Sequence, residues 1–340
     1  MRKIALLFIL FCSKLFAVTV DTNNAAVLID SGQNTSWQQM HMALAAIVSK
    51  KSGLSFDDVI SSNQVDERFE SVVLRKYFES IPAEFSPDQS WFNVVVDGEK
   101  MSRLMLEQGI PLWPERRNEL FVWVVEELED GQLINSSSDS EVNYWLSAWL
   151  KNKGIPASFY DYESEDLLSF QPTDVRYLNP DLIDYLNDNY DVAMSLLVFV
   201  KHTGSGYSYR MGLTKPSQET MIKNLKFLTL SSGLESLVTD VQLVMAEGQQ
   251  VSADEFSLNT VSVIVNNINN AEQMLELINY FDNHALVQTF QIVNYKQAKL
   301  NLMVEIKVLP DTFIKFVENE HVLSHVPLDL GHTIVFSVAE

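Results

Sequence analysis

Apolar residues recur along the chain with periods that change from segment to segment. Trp37, Met40, Leu44, Ile47 and Val48 fall on one helical face, with Asn34 or Thr35 as a cap before them and Gly53 after them. That spacing predicts a helix over 35–51. Val65, Phe69, Val72 and Val73 predict a second helix over 64–80. Phe92, Val94 and Val96 alternate with their neighbours, as in a half-buried strand over 91–97. A short helix from Met101 to Gln108 ends at Gly109. Together these elements make a first α/β unit, residues 18–115.

Pro111 and Pro114 break the pattern, and Leu120 to Val125 then run without a polar residue, as expected of a strand covered on both faces. Ser138 and Glu141 have capping-box spacing before Val142, Trp145, Trp149 and Leu150. Gly154 stops that helix, and Ile155 to Tyr160 predict a strand. Pro180 opens a helix carrying Leu182, Tyr185 and Leu186. Two strands, Ala193 to Lys201 and Tyr207 to Leu213, flank Thr203-Gly204-Ser205-Gly206, which predicts a hairpin. This is a central α/β unit, 116–216, followed by an amphipathic helical connector over 217–255.

Beyond it the pattern gives strand 260–265, helix 270–281 with Met274, Leu277, Ile278 and Phe281 inward, and strands 287–295 and 300–308. A helix capped by Asp311 runs through Val317, and Thr333 to Val338 close as a strand. Residues 256–340 therefore predict the ferredoxin-like order β-α-β-β-α-β. The fold class is α/β (α+β), built from consecutive small units.

The first seventeen residues change the reading of compartment. Met1-Arg2-Lys3 is basic, Ile4 to Cys12 are nine apolar residues, and Leu15-Phe16-Ala17 lead into polar sequence. This is the layout of a secretory signal peptide, residues 1–17, cut after Ala17. Nine helical residues reach about 13 Å, well short of a hydrocarbon core of about 30 Å. Phe11 before Cys12 is too large for a lipid-anchoring cut. Removing Cys12, the single cysteine, leaves the mature chain without disulfides, thiolate zinc sites or a cysteine nucleophile. Removing Arg2, Lys3 and Lys14 takes the net charge from −21 to −24. A charge of that sign excludes nucleic acid and anionic lipid as partners. The expected location is the periplasm, with no membrane span in the mature chain.

Several short motifs occur in a family-like order: Val48-Ser49-Lys50-Lys51-Ser52-Gly53, Gly109-Ile110-Pro111-Leu112-Trp113 with Arg116-Arg117, Lys153-Gly154-Ile155-Pro156, acidic Asp161 to Asp166, and Tyr190-Asp191-Val192. In these the chain resembles the bacterial envelope family called domain of unknown function 2066. The resemblance spans about two thirds of the chain and is densest from Gly109 to Leu213; residues 18–34 match poorly. It implies an exported protein of Gram-negative bacteria and assigns no reaction.

Candidate chemistry is sparse. His321 and His325 stand four apart on the expected last helix, beside Glu318 and Glu320, with His332 downstream. That spacing suits two zinc ligands, but Val322 stands where a zinc protease needs glutamate. Gly204-Ser205-Gly206 lacks the glycine spacing of a serine-nucleophile elbow. The acidic run 161–166 lacks the glycine-centred loop of a calcium site. Trp113, Arg116 and Arg117 offer an aromatic platform beside two forks for a carboxylate, or a packed wedge with arginines paired to local acids such as Glu115. The expectation is a non-catalytic envelope accessory protein without a cofactor, meeting an envelope protein partner at Trp113, Arg116 and Arg117. The alternative is a periplasmic hydrolase or metal-dependent enzyme using His321 and His325.

Overall fold

The computed structural model describes residues 17–30, 37–160, 170–189, 194–215, 219–252, 255–284, 286–319, 323–327 and 333–338. The signal segment before Ala17, the acidic run 161–166, Tyr190-Asp191-Val192, Glu320, His321 and His332 lie outside the described residues.

In chain order the elements are β1 (Ala17–Thr19), β2 (Asn24–Asp30), α1 (Trp37–Ser52), α2 (Phe56–Ser61), a 3-10 turn (Glu67–Val72), β3 (Val73–Ser80), β4 (Gln89–Val96), α3 (Gly98–Glu107), β5 (Arg116–Asn118), β6 (Leu120–Glu127), β7 (Leu133–Asn135), α4 (Glu141–Lys153) and β8 (Ala157–Phe159). They continue with α5 (Pro172–Tyr177), α6 (Pro180–Asn189), β9 (Met194–Thr203), β10 (Gly206–Thr214), β11 (Met221–Phe227), α7 (Leu230–Ala246), β12 (Phe256–Asn266), α8 (Ala271–Asn283), β13 (Val287–Lys296), β14 (Lys299–Val308), α9 (Pro310–Asn319), β15 (Leu323–His325) and β16 (Thr333–Val338). Helices and mixed sheets together make an α+β protein. It divides into two compact units that interleave in sequence. Among the described residues, the first holds Ala17 and Val18 with 118–144 and 156–233; the second holds 19–117, 145–155 and 234–338.

In the second unit, β2, β4 and β3 form an antiparallel sheet in that order. Phe92, Val94 and Val96 of β4 pack with Leu44, Ile47 and Val48 of α1 and with Met101 and Met105 of α3. Trp91 faces the other way, its ring 5.0 Å from Trp149 and 5.9 Å from Trp145 of α4. The helix expected over 64–80 is instead a 3-10 turn followed by β3. Only Phe69 and Val72 of the turn go into the core, while Tyr77 and Phe78 lie in ladder with Asn93 and Phe92. Aromatic and β-branched residues suit that pleated edge better than a helix interior.

The C-terminal sheet of the same unit has the order β13-β14-β12-β16-β15. Its core joins Val263 and Val265 to Leu302, Val304, Phe281, Phe313 and Phe336. The expected β-α-β-β-α-β order gains a strand. Short β15 turns the chain back, so β16 runs parallel to β12, whereas β14 runs antiparallel to it. Asn270 caps α8 by accepting the Gln273 N–H at 2.8 Å. Asp311 sits inside the first turn of α9, which Pro310 opens.

The first unit is built on β11-β10-β9-β6-β7, with β8 also paired to β6. β6 is buried throughout and runs parallel to β8 on one side and to β9 on the other. β9, β10 and β11 then form an antiparallel meander. α5 and α6 place Val175, Leu178, Leu182 and Leu186 on Phe121, Trp123, Val125, Leu197 and Phe199. The connector expected over 217–255 is not wholly helical, because β11 is the outer strand of this sheet. Ile222, Asn224 and Lys226 alternate there with Lys223, Leu225 and Phe227, a period of two. Ser140, not Ser138, caps α4: its Oγ accepts the Asn143 N–H at 3.1 Å.

Candidate functional site

The residues expected to meet a partner are folded into the second unit. Trp113 is 2% exposed and Arg117 1%. The guanidinium of Arg117 lies 3.5 Å from the Trp113 ring centroid. Its nitrogens donate to Gly154 O at 2.6 Å, Lys50 O at 2.7 Å, Pro114 O at 3.0 Å and Lys153 O at 3.3 Å. Those acceptors include the C-terminal carbonyls of α1 and α4, the negative ends of two helix dipoles. The remaining carbonyls of the last turn of α1 are also closed. Ser49 O accepts from Gly53 N and Gln242 Nε2, Lys51 O from Trp113 N at 2.6 Å, and Ser52 O from Gln250 Nε2 at 2.7 Å. The expected partner surface is therefore corrected: Trp113 and Arg117 form a buried staple, and Arg116 is half-buried with its guanidinium 5.1 Å from the Tyr280 ring centroid.

Three lysines share this interior. Lys50 Nζ donates to Asn24 O at 3.0 Å, and Lys51 Nζ donates to Thr22 Oγ1 at 3.0 Å. The Thr22 hydroxyl in turn donates to Glu115 at 2.5 Å. Burial, reinforced by neighbouring Arg117, holds the Lys50 ammonium down at about 7. Burial brings Arg117 down to about 9 against the pull of Glu115. It also lowers Lys51 against Glu115, and Lys153 against Glu235. The helix ends make these buried cations tolerable; they leave no donor turned outward for a ligand.

The histidine pair is corrected as well. α9 ends at Asn319, and His325 lies on β15 with its ring 5.9 Å from that of Phe336. Four-residue helical spacing thus does not describe it, and His321 lies outside the described residues. Among the described residues no group of three His, Cys, Asp or Glu stands together as metal ligands. Ser205 occupies the exposed tip of the β9–β10 turn.

The first unit gathers polar chemistry that the sequence reading missed. β6 lies between its two parallel partners, and such a sheet offers ligands the crevice at the strands' carboxyl ends. There stand Glu126 and Glu127 of β6 and Lys201 and His202 of β9. The two glutamates are 5% and 6% exposed and point to opposite faces. Glu126 accepts from Ser136 Oγ at 2.6 Å and lies 3.1 Å from His202 Nε2. The carboxylate stands between hydroxyl and imidazole, so His202 is not placed to take a proton from Ser136, and this is no serine nucleophile. On the opposite face Glu127 pairs with Lys201 and, at 2.8 Å, with Arg176 Nη1. A sequence signal existed: each of two continuous apolar runs, 120–125 and 196–200, ends in a charged or ionisable pair.

Beyond Arg176 the α5 side of the hairpin opens into a groove of about 450 Å³. Arg176 and Tyr177 of α5, Phe199, Arg210, Asn224 and Lys226 line it. The registers Phe199↔Arg210↔Asn224 and Lys201↔Ser208↔Lys226 put these side chains on one face. Among the described residues, Arg210 and Lys226 have no carboxylate partner. The groove is cationic in a chain of net charge −21. No helix among the described residues is long and apolar enough to cross a membrane. Comparison of the chain with protein-family models, curated proteins and solved structures returns no match.

Proposed function

We propose that this chain is an exported envelope protein that binds a partner without transforming it, and that the groove of the first unit is its binding site for an acidic segment. One observation carries the reading: among the described residues, Arg210 and Lys226 stand without carboxylate partners beside Arg176 on one face of an otherwise strongly acidic chain. Arginine and exposed aromatic surface are the residue types that dominate binding when a partner covers them, and Tyr177 is 63% exposed beside Arg176. Export rests on the basic-apolar-small layout of residues 1–17 and on the envelope-family resemblance.

The test is a titration of the full mature chain with a fluorescent decapeptide of alternating glutamate and serine, beside a lysine–serine control. The acidic peptide should bind, weaken as salt rises, and lose at least about tenfold in affinity with Arg210→Ala plus Lys226→Ala. Equal binding of the lysine peptide, or unchanged affinity in the double variant, removes the reading.

A further inference from the structure

The outer strands of the sheets differ in how open they are to a new partner. β3 and β13 meet their neighbours through register shifts, at Val73/Arg75 in one and at Val287/Thr289 and Ile292/Asn294 in the other. Such bulges twist an edge away from further pairing. β7 and β15 are three residues long. β2 is occupied on its outer side, where the Asn152 amide accepts from Ala26 N and donates to Ala26 O, both at 2.8 Å.

β11 differs from all of these. Its seven residues pair with β10 from Leu213↔Met221 to Tyr207↔Phe227 without a shift. Among the described residues no backbone hydrogen bond reaches it from the outer side. Ile222 is 51% exposed, and Asn224, Leu225 and Lys226 are exposed too.

We infer that the acidic segment binds as an extended strand added to the outer edge of β11. This rests on the reading of the groove as the site for an acidic partner, and names how that partner is held. Strand addition takes its affinity from main-chain hydrogen bonds and its selectivity from alternate side chains. The side of β11 turned to the groove presents Ile222, Asn224 and Lys226, with Arg210 one strand further in, opposite Asn224. A strand laid along it sets every second side chain over that row. The fitting ligand is an extended peptide with a carboxylate at one end of that face, near Lys226 and Arg210, and an apolar residue near Ile222. Lys223 and Lys226 also keep a second copy from pairing here, since lysines on facing edges repel.

The experiment uses the mature full chain and three peptides of one sequence, in which every second residue forms a face reading valine, serine, glutamate and the residues between are serine. One is unmodified, one is N-methylated at its odd positions and one at its even positions. In a strand, successive N–H groups point to opposite sides, so only one methylated set faces β11. The unmodified peptide should bind, one methylated peptide should bind within about threefold of it, and the other should lose at least about tenfold. Amide exchange of the 221–227 segment should slow only with the peptides that bind. Equal affinity of all three leaves an acidic groove without strand addition and overturns this inference alone. Failure of the unmodified peptide to bind overturns the groove reading and this inference with it.

Discussion

Arg117 stacks its guanidinium over the Trp113 ring at 3.5 Å and, from that position, closes the C-terminal ends of α1 and α4. A fixed planar fork makes this possible, since four carbonyls and an aromatic face are met by one rigid group. Gly154 is part of the fit: its φ is +70°, and a Cβ there would stand 2.4 Å from Arg117 Nη1.

Arg117→Ala should therefore cost about 3–5 kcal/mol, because it leaves buried carbonyls without donors. Arg117→Lys should recover only part of this, since an ammonium cannot reproduce the fork. Arg116→Ala should cost about 0.5–1 kcal/mol, the worth of a partly exposed contact with Tyr280. Urea unfolding at constant m-value measures all three. An Arg117→Ala midpoint equal to that of the wild type excludes the staple.

Lys50 makes stability depend on pH in the alkaline direction. Its folded value is about 7 against 10.5 for the free side chain. Between those values the unfolded chain holds the extra proton, so stability rises as pH climbs from about 7 towards 10. Below pH 7 the burden of burying the charge is fully present. The gain of the wild type over Lys50→Met between pH 7 and 10 should be on the order of a few kcal/mol, at about 1.4 kcal/mol per pH unit. A constant difference between the two proteins across that range excludes the effect.

The β9–β10 turn separates two glycines that the sequence presents alike. Gly206 has φ +143°, and an added Cβ would stand 2.4 Å from Phe227 O, whereas Gly204 has open space. Gly206→Ala should cost at least about 1–3 kcal/mol, and Gly204→Ala should stay within about 0.5 kcal/mol of wild type. Thermal unfolding of both variants decides it, and equal melting temperatures contradict the geometry.

Glu127 restrains the groove by pairing with Lys201 and Arg176. Glu127→Gln should release Arg176, the partner that lines the groove, towards an acidic peptide and raise its affinity by about threefold or more at low salt. The gain should vanish when Arg176→Ala is added. An unchanged or weaker affinity in Glu127→Gln would place the peptide elsewhere.

Element type was legible wherever one period dominated. The strands expected at Leu120–Val125 and 193–201, the 203–206 hairpin and the helix expected over 270–281 each follow from local pattern; the Asn270 cap of that helix was not read from the sequence. Gln64–Ser80 and the 218–227 stretch misled because each face of an exposed outer strand mixes apolar and polar residues, as Ile222 with Lys226 and Lys223 with Phe227 do, so hydropathy does not mark the period of two; Leu74 is 69% exposed and Ile222 51%. The extra strand β15 is too short to show a period. Trp113-Pro114-Glu115-Arg116-Arg117 reads as a charged, turn-rich boundary, yet its partners Lys50, Gly154 and Gln249 are distant in sequence. The groove was invisible for the same reason, since Arg176, Arg210 and Lys226 meet only through strand register and the placing of α5.

The last turn of α1 is closed by donors from residues 53, 113, 117, 242 and 250. On a ribosome adding about 5–20 residues per second, roughly 6–27 s separate Arg117 from the donors of α7 and beyond. Throughout that interval the emerging chain carries a helix whose exit is unfinished. A stop codon anywhere before Gln250 would leave it so permanently, and the β2–β4–β3 layer would share the loss although every residue of its own sheet had been made.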